Sequence, residues 1–277
     1  MGEDNAIGRS ERPATPASLS ADLREVGLDA GMTVMVHASL SRLGFVAGGA
    51  QSVVAALLDV VGSEGTLMMP THSGQLSDPA QWQAPPVPES WWTTIQDGVP
   101  AFDPHLTPPR SMGAIVECFR HVPGAKRSAH PTLSATAAGP GADELVNGHT
   151  FEDGLGESSP QARLYQLDGY ILLLGVTHAN NTSLHLAEYR AAPHGAARQS
   201  NTAPVTVDGV RTLLTYTELA DDTDDFDEIG GAFAETGLQR SGQVGAGTAL
   251  FMKSRDVVDF AAGWMRTNRT WAMASGA

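Results

Sequence analysis

His185 and Glu188 stand three positions apart in the run Thr182-Ser183-Leu184-His185-Leu186-Ala187-Glu188. On a helix this spacing makes an imidazole and a carboxylate neighbours on one face. The carboxylate fixes the ring's tautomer and raises its basicity, which suits a general base working near neutral pH. Thr182, one turn earlier, reads as the N-cap and adds a hydroxyl near the positive end of the helix. A surface pair that only caps and solvates a helix would show the same spacing. His178 either shares this group or ends the preceding strand on a loop carbonyl. A metal-dependent hydrolase would use His178, His185 and Glu188, but the two histidines are not arranged as H-E-x-x-H, and no metal is expected.

Other chemistries lack their signatures. No G-x-S-x-G occurs, so a nucleophile-elbow hydrolase is not indicated. The single cysteine, Cys118, excludes a disulfide framework and reads as an inert thiol beside Phe119 on a helix. Gly245-Ala246-Gly247 and Gly48-Gly49 match neither a dinucleotide fingerprint nor a P-loop. Arg110-Ser111-Met112-Gly113 is better placed, since it leads into a helix whose first amides could hold a pyrophosphate or simply be capped. Lys126-Arg127-Ser128 forms a second small basic spot that a solvated turn explains equally well.

Helices and strands must position these groups, and they alternate from about residue 15. Thr15-Pro16 opens a helix with Leu19, Leu23 and Val26 on one face, and Thr33–Val36 follows as a buried strand ending at His37. Val54, Leu57, Leu58 and Val61 recur at helical spacing before a strand over 66–69, which completes a βαβ pattern. Residues 70–111 form a long Pro-rich insertion bearing Trp82, Trp91 and Trp92, of the kind that builds binding sites. The uninterrupted run Tyr170–Val176 predicts a strand covered on both faces, and the His185 helix follows it directly. That is where open α/β sheets bind ligands. A hairpin is predicted over 203–207 and 211–216 around Asp208-Gly209, and a final helix capped by Ser254 carries Val257, Phe260, Ala261 and Trp264 inward. The acidic run 221–228 reads as a solvated loop or as a rim for a polyamine. Residues 1–14 read as a flexible arm and 15–277 as one α/β domain.

The 277 residues are 42% hydrophobic, and acidic residues outnumber Lys plus Arg by 31 to 17, for a formal charge of −14. A nucleic acid is therefore not expected as partner, because binding one requires a basic face. A cationic ligand would be attracted, although acidity also maintains solubility. No apolar run approaches a membrane span and the N-terminus is not a signal peptide, so a cytoplasmic address is expected.

In these residues the sequence resembles the aminoglycoside 3-N-acetyltransferase family, whose fold differs from that of the GNAT acetyltransferases. The matching words include Val36-His37-Ala38-Ser39-Leu40, Leu43-Gly44-Phe45-Val46, Pro70-Thr71-His72, Ser77-Asp78-Pro79, Arg110–Gly113, Arg127–Pro131, Gly175–His178, Asn181–Glu188 and Asp224–Asp227. The resemblance implies layered helices around a central mixed sheet. It implies acetyl-CoA as donor, held by His37, Ser39, Leu40, Gly44 and Phe45 with Arg110, Ser111, Met112, Gly113 and Ser128. It also implies His185 and Glu188 as the catalytic pair with Thr182 alongside, and an aminoglycoside acceptor held by Asp78, His178, Asp224 and Asp227. The chain would act as a monomer or homodimer. A polycation-binding protein, or an acyltransferase for another amine, are the alternatives.

Overall fold

The computed structural model describes residues 3–83 and 85–274. The chain runs α1 (Glu3–Gly8), α2 (Pro16–Val26), β1 (Thr33–Ala38), α3 (Gly49–Val61) and β2 (Thr66–Pro70), then α4 (Trp92–Gly98) and α5 (Gly113–Phe119). It continues through β3 (Lys126–Arg127), β4 (Ala135–Ala138), α6 (Ala142–Val146), α7 (Pro160–Gln166), β5 (Tyr170–Leu174) and α8 (Ser183–Ala191). The last third holds β6 (Arg198–Val207), β7 (Val210–Leu219), α9 (Phe226–Ala234), β8 (Arg240–Val244), β9 (Gly247–Lys253) and α10 (Ser254–Asn268).

Seven strands form one mixed sheet in the order β3-β4-β2-β1-β5-β9-β8. Its centre is parallel, with β1 between β2 and β5, and both flanks are antiparallel. Side chains alternate across this centre. Val34, Val36, Leu67, Met69, Leu172 and Leu174 enter one core with α2, α3 and α5. Met35, Met68, Ile171 and Leu173 enter the other with α6 to α10. Burial on both faces explains why β1, β2 and β5 are continuous apolar runs. The strands leave β1 in opposite directions, to β2 and to β5. A crevice therefore opens beyond their carboxyl ends.

The predicted helix capped by Thr15 and the buried strands are present, and Asp208 and Gly209 both take positive φ at the hairpin turn. The hairpin is longer than its apolar pattern suggested, ten residues per strand. Strands β8 and β9 are not among the predicted elements: edge strand β8 reads Arg-Ser-Gly-Gln-Val and is largely polar, whereas β9 does carry a short apolar run over 249–252. The acidic run is only partly a loop, since Phe226 starts a helix whose Ile229 and Phe233 are buried. Ser254 does not cap α10: it is already helical, and its buried hydroxyl lacks a partner. Residues 3–14 of the expected arm lie along the loop after β1, where the Phe45 amide donates to Ser10 Oγ at 2.7 Å and the Ala14 amide to the Phe45 carbonyl at 2.9 Å. Residues 1 and 2 of that arm fall outside the described residues. Among the described residues no helix is long and apolar enough to cross a membrane.

Gly139 joins β4 to α6 at φ +127°, and a Cβ there would sit 2.3 Å from the Gly65 carbonyl oxygen. Gly31 also has positive φ, at +77°, but nothing lies within 4 Å of its Cβ position. Gly139→Ala should therefore cost about 3 kcal/mol and Gly31→Ala about 1 kcal/mol. Equal shifts of the denaturation midpoint in the two variants would contradict this account.

Candidate active site

The crevice at the sheet's carboxyl end is a cleft of about 1250 Å³. Its walls come from 37–42 after β1, from 175–182 after β5, from the 111–114 turn and from the β8–β9 turn. Three loops meet closely at Gly44, where a Cβ would lie 2.3 Å from Ser10 Oγ and 2.8 Å from Ala246 Cβ, at φ +76°. Only glycine fits there. His37 is buried with no partner for its Nε2, and burial, aided by neighbouring His185 and His178, pushes it down to about 3. It is a neutral imidazole. Arg9, from just after α1, and Arg42 also line this cleft, and among the described residues none that lines it is acidic.

α8 starts where the Asn181 carboxamide accepts the Ser183 amide at 3.2 Å. Thr182 therefore makes no cap with its side chain; it lines the cleft, and its hydroxyl accepts from Gln161 Nε2 at 3.3 Å and lies 4.0 Å from Met35 Sδ. The first turns of α8 are buried on all sides, His185 and Glu188 included. His185 Nδ1 lies 2.5 Å from Glu188 Oε2, and the ring stands edge-on to Phe226 at 5.0 Å. With Nδ1 committed to the carboxylate, Nε2 is the nitrogen left to exchange a proton. Glu188 Oε1 accepts from the Asp222 amide at 3.0 Å and from Arg269.

A second cleft of about 380 Å³ adjoins the first, and Ser111 lines both. Ser111 takes φ +63°, rare for a residue with a Cβ, which turns the chain sharply between the two spaces. His72, Trp82, Arg110, Tyr189, Asn201, Glu218 and Asp221 complete the wall. Arg110 lies over the Trp82 ring at 5.2 Å. His72 Nε2 is buried without a partner, and burial, with His185 and His37 nearby, pushes the ring down to about 3. Glu218 is 5% exposed, its Oε1 has no hydrogen bond, and burial raises it to about 7. Neighbouring His130 is no countercharge, because burial pushes it down to about 3.

The structure gathers His37, Ser39, Leu40, Gly44, Phe45, Ser111, Met112, Gly113, Thr182 and His185 at the larger cleft, with Glu188 directly behind His185. Other expected site residues stand elsewhere. Arg110 belongs to the smaller cleft. Ser128 lines neither cleft, because its backbone pairs with Ala135 and its buried hydroxyl meets His149 Nδ1 at 2.9 Å. Asp78 caps a short turn through the Ala80 amide at 2.9 Å and accepts from Gln96 at 3.2 Å. Asp227 accepts from the Ala179 amide and the Thr177 hydroxyl, so it braces the loop before α8. Asp224 is exposed near the start of α9 and lines neither cleft. His178 points away, its Nε2 on Gln239 Oε1 at 2.7 Å and its ring against Gly230.

Glu218, Arg9 and Arg269 are functional candidates that the sequence did not disclose, whereas Asp221 belongs to the acidic run read as a loop or a rim. Glu218 was within reach: carrying the hairpin's alternation two residues past Tyr216 places it on the same inward face. Among the described residues no three His, Cys, Asp or Glu side chains gather to hold a metal.

The family model for aminoglycoside 3-N-acetyltransferase matches residues 35–266. The chain belongs to the aminoglycoside 3-N-acetyltransferase family. It is 44% identical over 257 residues to the SPbeta prophage-derived aminoglycoside N(3')-acetyltransferase-like protein YokD of Bacillus subtilis (strain 168), covering 92% of this chain and 94% of that one. The crystal structure of YokD superposes with a TM-score of 0.93 at 42% identity, over 96% of this chain and 98% of that chain. Aminoglycoside N(3)-acetyltransferase VII of Streptomyces paromomycinus is 36% identical over 281 residues, 96% of each chain. A structure described as AAC-IIIb binary with CoASH gives a TM-score of 0.82 at 30% identity, over 96% of this chain and 100% of that chain. The family match includes the His185–Glu188 pair and Glu218, whereas Arg9 and Arg269 lie outside it.

Glu218 generates a stability prediction. Its folded value lies above the ordinary 4.5, so ionising it costs stability, a penalty that is absent below about pH 4.5 and complete above about pH 7. Glu218→Gln should raise the melting temperature at pH 8 by about 3 °C more than at pH 5. A difference that does not change with pH would contradict the assignment.

Proposed function

We propose that the chain, an acetyl-CoA-dependent aminoglycoside 3-N-acetyltransferase, works by direct transfer with His185 as general base. The observation that carries this reading is that His185, held by Glu188, lines the cleft that bears Arg9 and Arg42, and that this cleft adjoins at Ser111 one with an unpaired buried carboxylate. Arg9 and Arg42 suit the phosphates of the coenzyme, and the loops at 39–45 and 111–113 suit its pantetheine arm. Glu218 and Asp221 suit the ammonium groups of the drug, with Trp82 and Tyr189 as walls for its rings.

The 3-amine, in its neutral form, attacks the thioester carbon while His185 Nε2 takes its proton. Glu188 holds Nδ1–H and stabilises the imidazolium that forms. The Thr182 hydroxyl and the positive end of α8 support the tetrahedral oxyanion. Collapse breaks the carbon–sulfur bond, and the leaving thiolate takes the proton back from His185. Acetylation removes one positive charge from the antibiotic, which is the basis of resistance. His37 and His72 stay neutral throughout, so neither competes for the amine as a cation. One chain builds both clefts, and the reading requires no second copy. We assign the reaction to the cytoplasm, where acetyl-CoA is available.

Thiol release from acetyl-CoA against a panel of aminoglycosides, with the acetylated nitrogen located by NMR, tests the reaction. Acetylation at another nitrogen would overturn the regiochemistry. His185→Ala should lower turnover 10²- to 10⁴-fold, about 3–5 kcal/mol of transition-state stabilisation. Near-normal turnover in a folded His185→Ala protein would remove the base from the mechanism.

A further inference from the structure

Arg269 follows α10 and lies three positions past the end of the family match. Its side chain is 6% exposed and spreads its donors over two carboxylates and a carbonyl. Nε donates to Asp225 Oδ2 at 2.7 Å, Nη2 to Asp225 Oδ1 and to the Asp222 carbonyl at 3.1 Å, and Nη1 to Glu188 Oε1. The guanidinium also lies 5.2 Å from the Trp271 ring centre and 5.9 Å from that of Phe226, the ring that packs on His185. The segment after it is pinned, with the Ala197 amide on the Ala272 carbonyl at 2.7 Å and the Ala274 amide on the Gly195 carbonyl at 2.9 Å.

We propose that Arg269 is a positioning residue for the His185–Glu188 pair: it keeps Glu188 ionised and fixed in one orientation, and so aims the imidazole. The proposal rests on His185 being the base. Glu188 is 1% exposed, and a carboxylate so buried holds its charge only against a cation or several hydrogen bonds. Arg269 supplies the cation, and its planar fork bridges Glu188 and Asp225 in a way that a lysine ammonium cannot. Charge counting gives the catalytic consequence. Glu188, Asp225 and Arg269 together carry one negative charge before transfer. When His185 accepts the amine's proton the cluster becomes neutral, so the imidazolium forms against a compensating field. Without Arg269 two carboxylates stand together unscreened, and the imidazole–carboxylate pair retains its proton to higher pH. The other titratable groups near the cluster are His37 and His72 at the ends of β1 and β2, with Asp222 before α9.

The experiment uses the full chain with Arg269→Gln and Arg269→Lys, each also combined with Glu188→Gln, in steady-state thiol release from acetyl-CoA with the best aminoglycoside of the panel. Arg269→Gln should lower kcat about 100-fold and move the acid limb of its pH profile up by about one unit, with KM for both substrates within threefold. Arg269→Lys should lose about tenfold and keep the limb near its original place. In the Glu188→Gln background either change should cost less than threefold, because its target is already gone. If Arg269→Gln does not fold, the lysine variant and its combination carry the test alone. A kcat within twofold in the folded variants would overturn the proposal. So would a loss that is equally large without Glu188, or one confined to KM with an unmoved pH profile. His185→Ala separates the two failures: full turnover there removes the base, whereas an inactive His185→Ala beside an active Arg269→Gln removes only this inference.

Discussion

Glu188 is a carboxylate nearly out of contact with water, and most of what surrounds it follows from keeping it there. Burying such a group unpaired costs several kcal/mol. Three elements far apart in sequence converge to offset that cost: His185 one turn before it on α8, the Asp222 amide from the loop before α9, and Arg269 after α10. α8 can present the pair because its Leu184, Leu186, Ala187 and Ala191 are anchored in the core beside the sheet and α10. An imidazole held by a fixed carboxylate has one nitrogen committed and the other free for chemistry.

The two clefts differ in charge. Among the described residues the larger has Arg9 and Arg42 and no acid on its walls, and the smaller has Glu218 and Asp221 beside Arg110. In the proposed reading the coenzyme takes the larger cleft, which His185 lines, and the sugar with its ammonium groups takes the smaller one beside it. At their junction the chain holds Ser111 in the left-handed region, and the buried rings of His37 and His72 stay uncharged. A cationic imidazole in either place would repel the acceptor amine. Of the acidic run only Asp221 lines the smaller cleft. Asp222 and Asp225 serve the pair from behind, and Asp227 braces the loop that leads into α8.

Elements with a strong period were legible in the chain. The apolar runs at β1, β2 and β5, the helix opened by Thr15-Pro16 and the Asp208-Gly209 turn each carry their own local signal, because buried strands and capped helices select residue types directly. β8 was not legible: an edge strand with one face to solvent tolerates Arg, Ser, Gly and Gln, and only pairing to β5 through β9 makes it a strand. The site divides the same way. The three-residue spacing of His185 and Glu188 is local and readable. Glu218 shows only if the strand alternation is carried past Tyr216.

The amino-acid order by itself determined the parallel centre of the sheet, the loop that follows its longest apolar strand and the catalytic pair on the next helix, since each depends on neighbours within a few residues. Tertiary structure alone decided which charges face which cleft. Asp78 and Asp227 became caps, Ser128 turned into the core, and Arg9, Glu218 and Arg269 were brought to the site across tens to hundreds of residues. Side-chain direction at such distances is set by packing and by the need to pair every buried charge, and neither leaves a periodic trace in sequence.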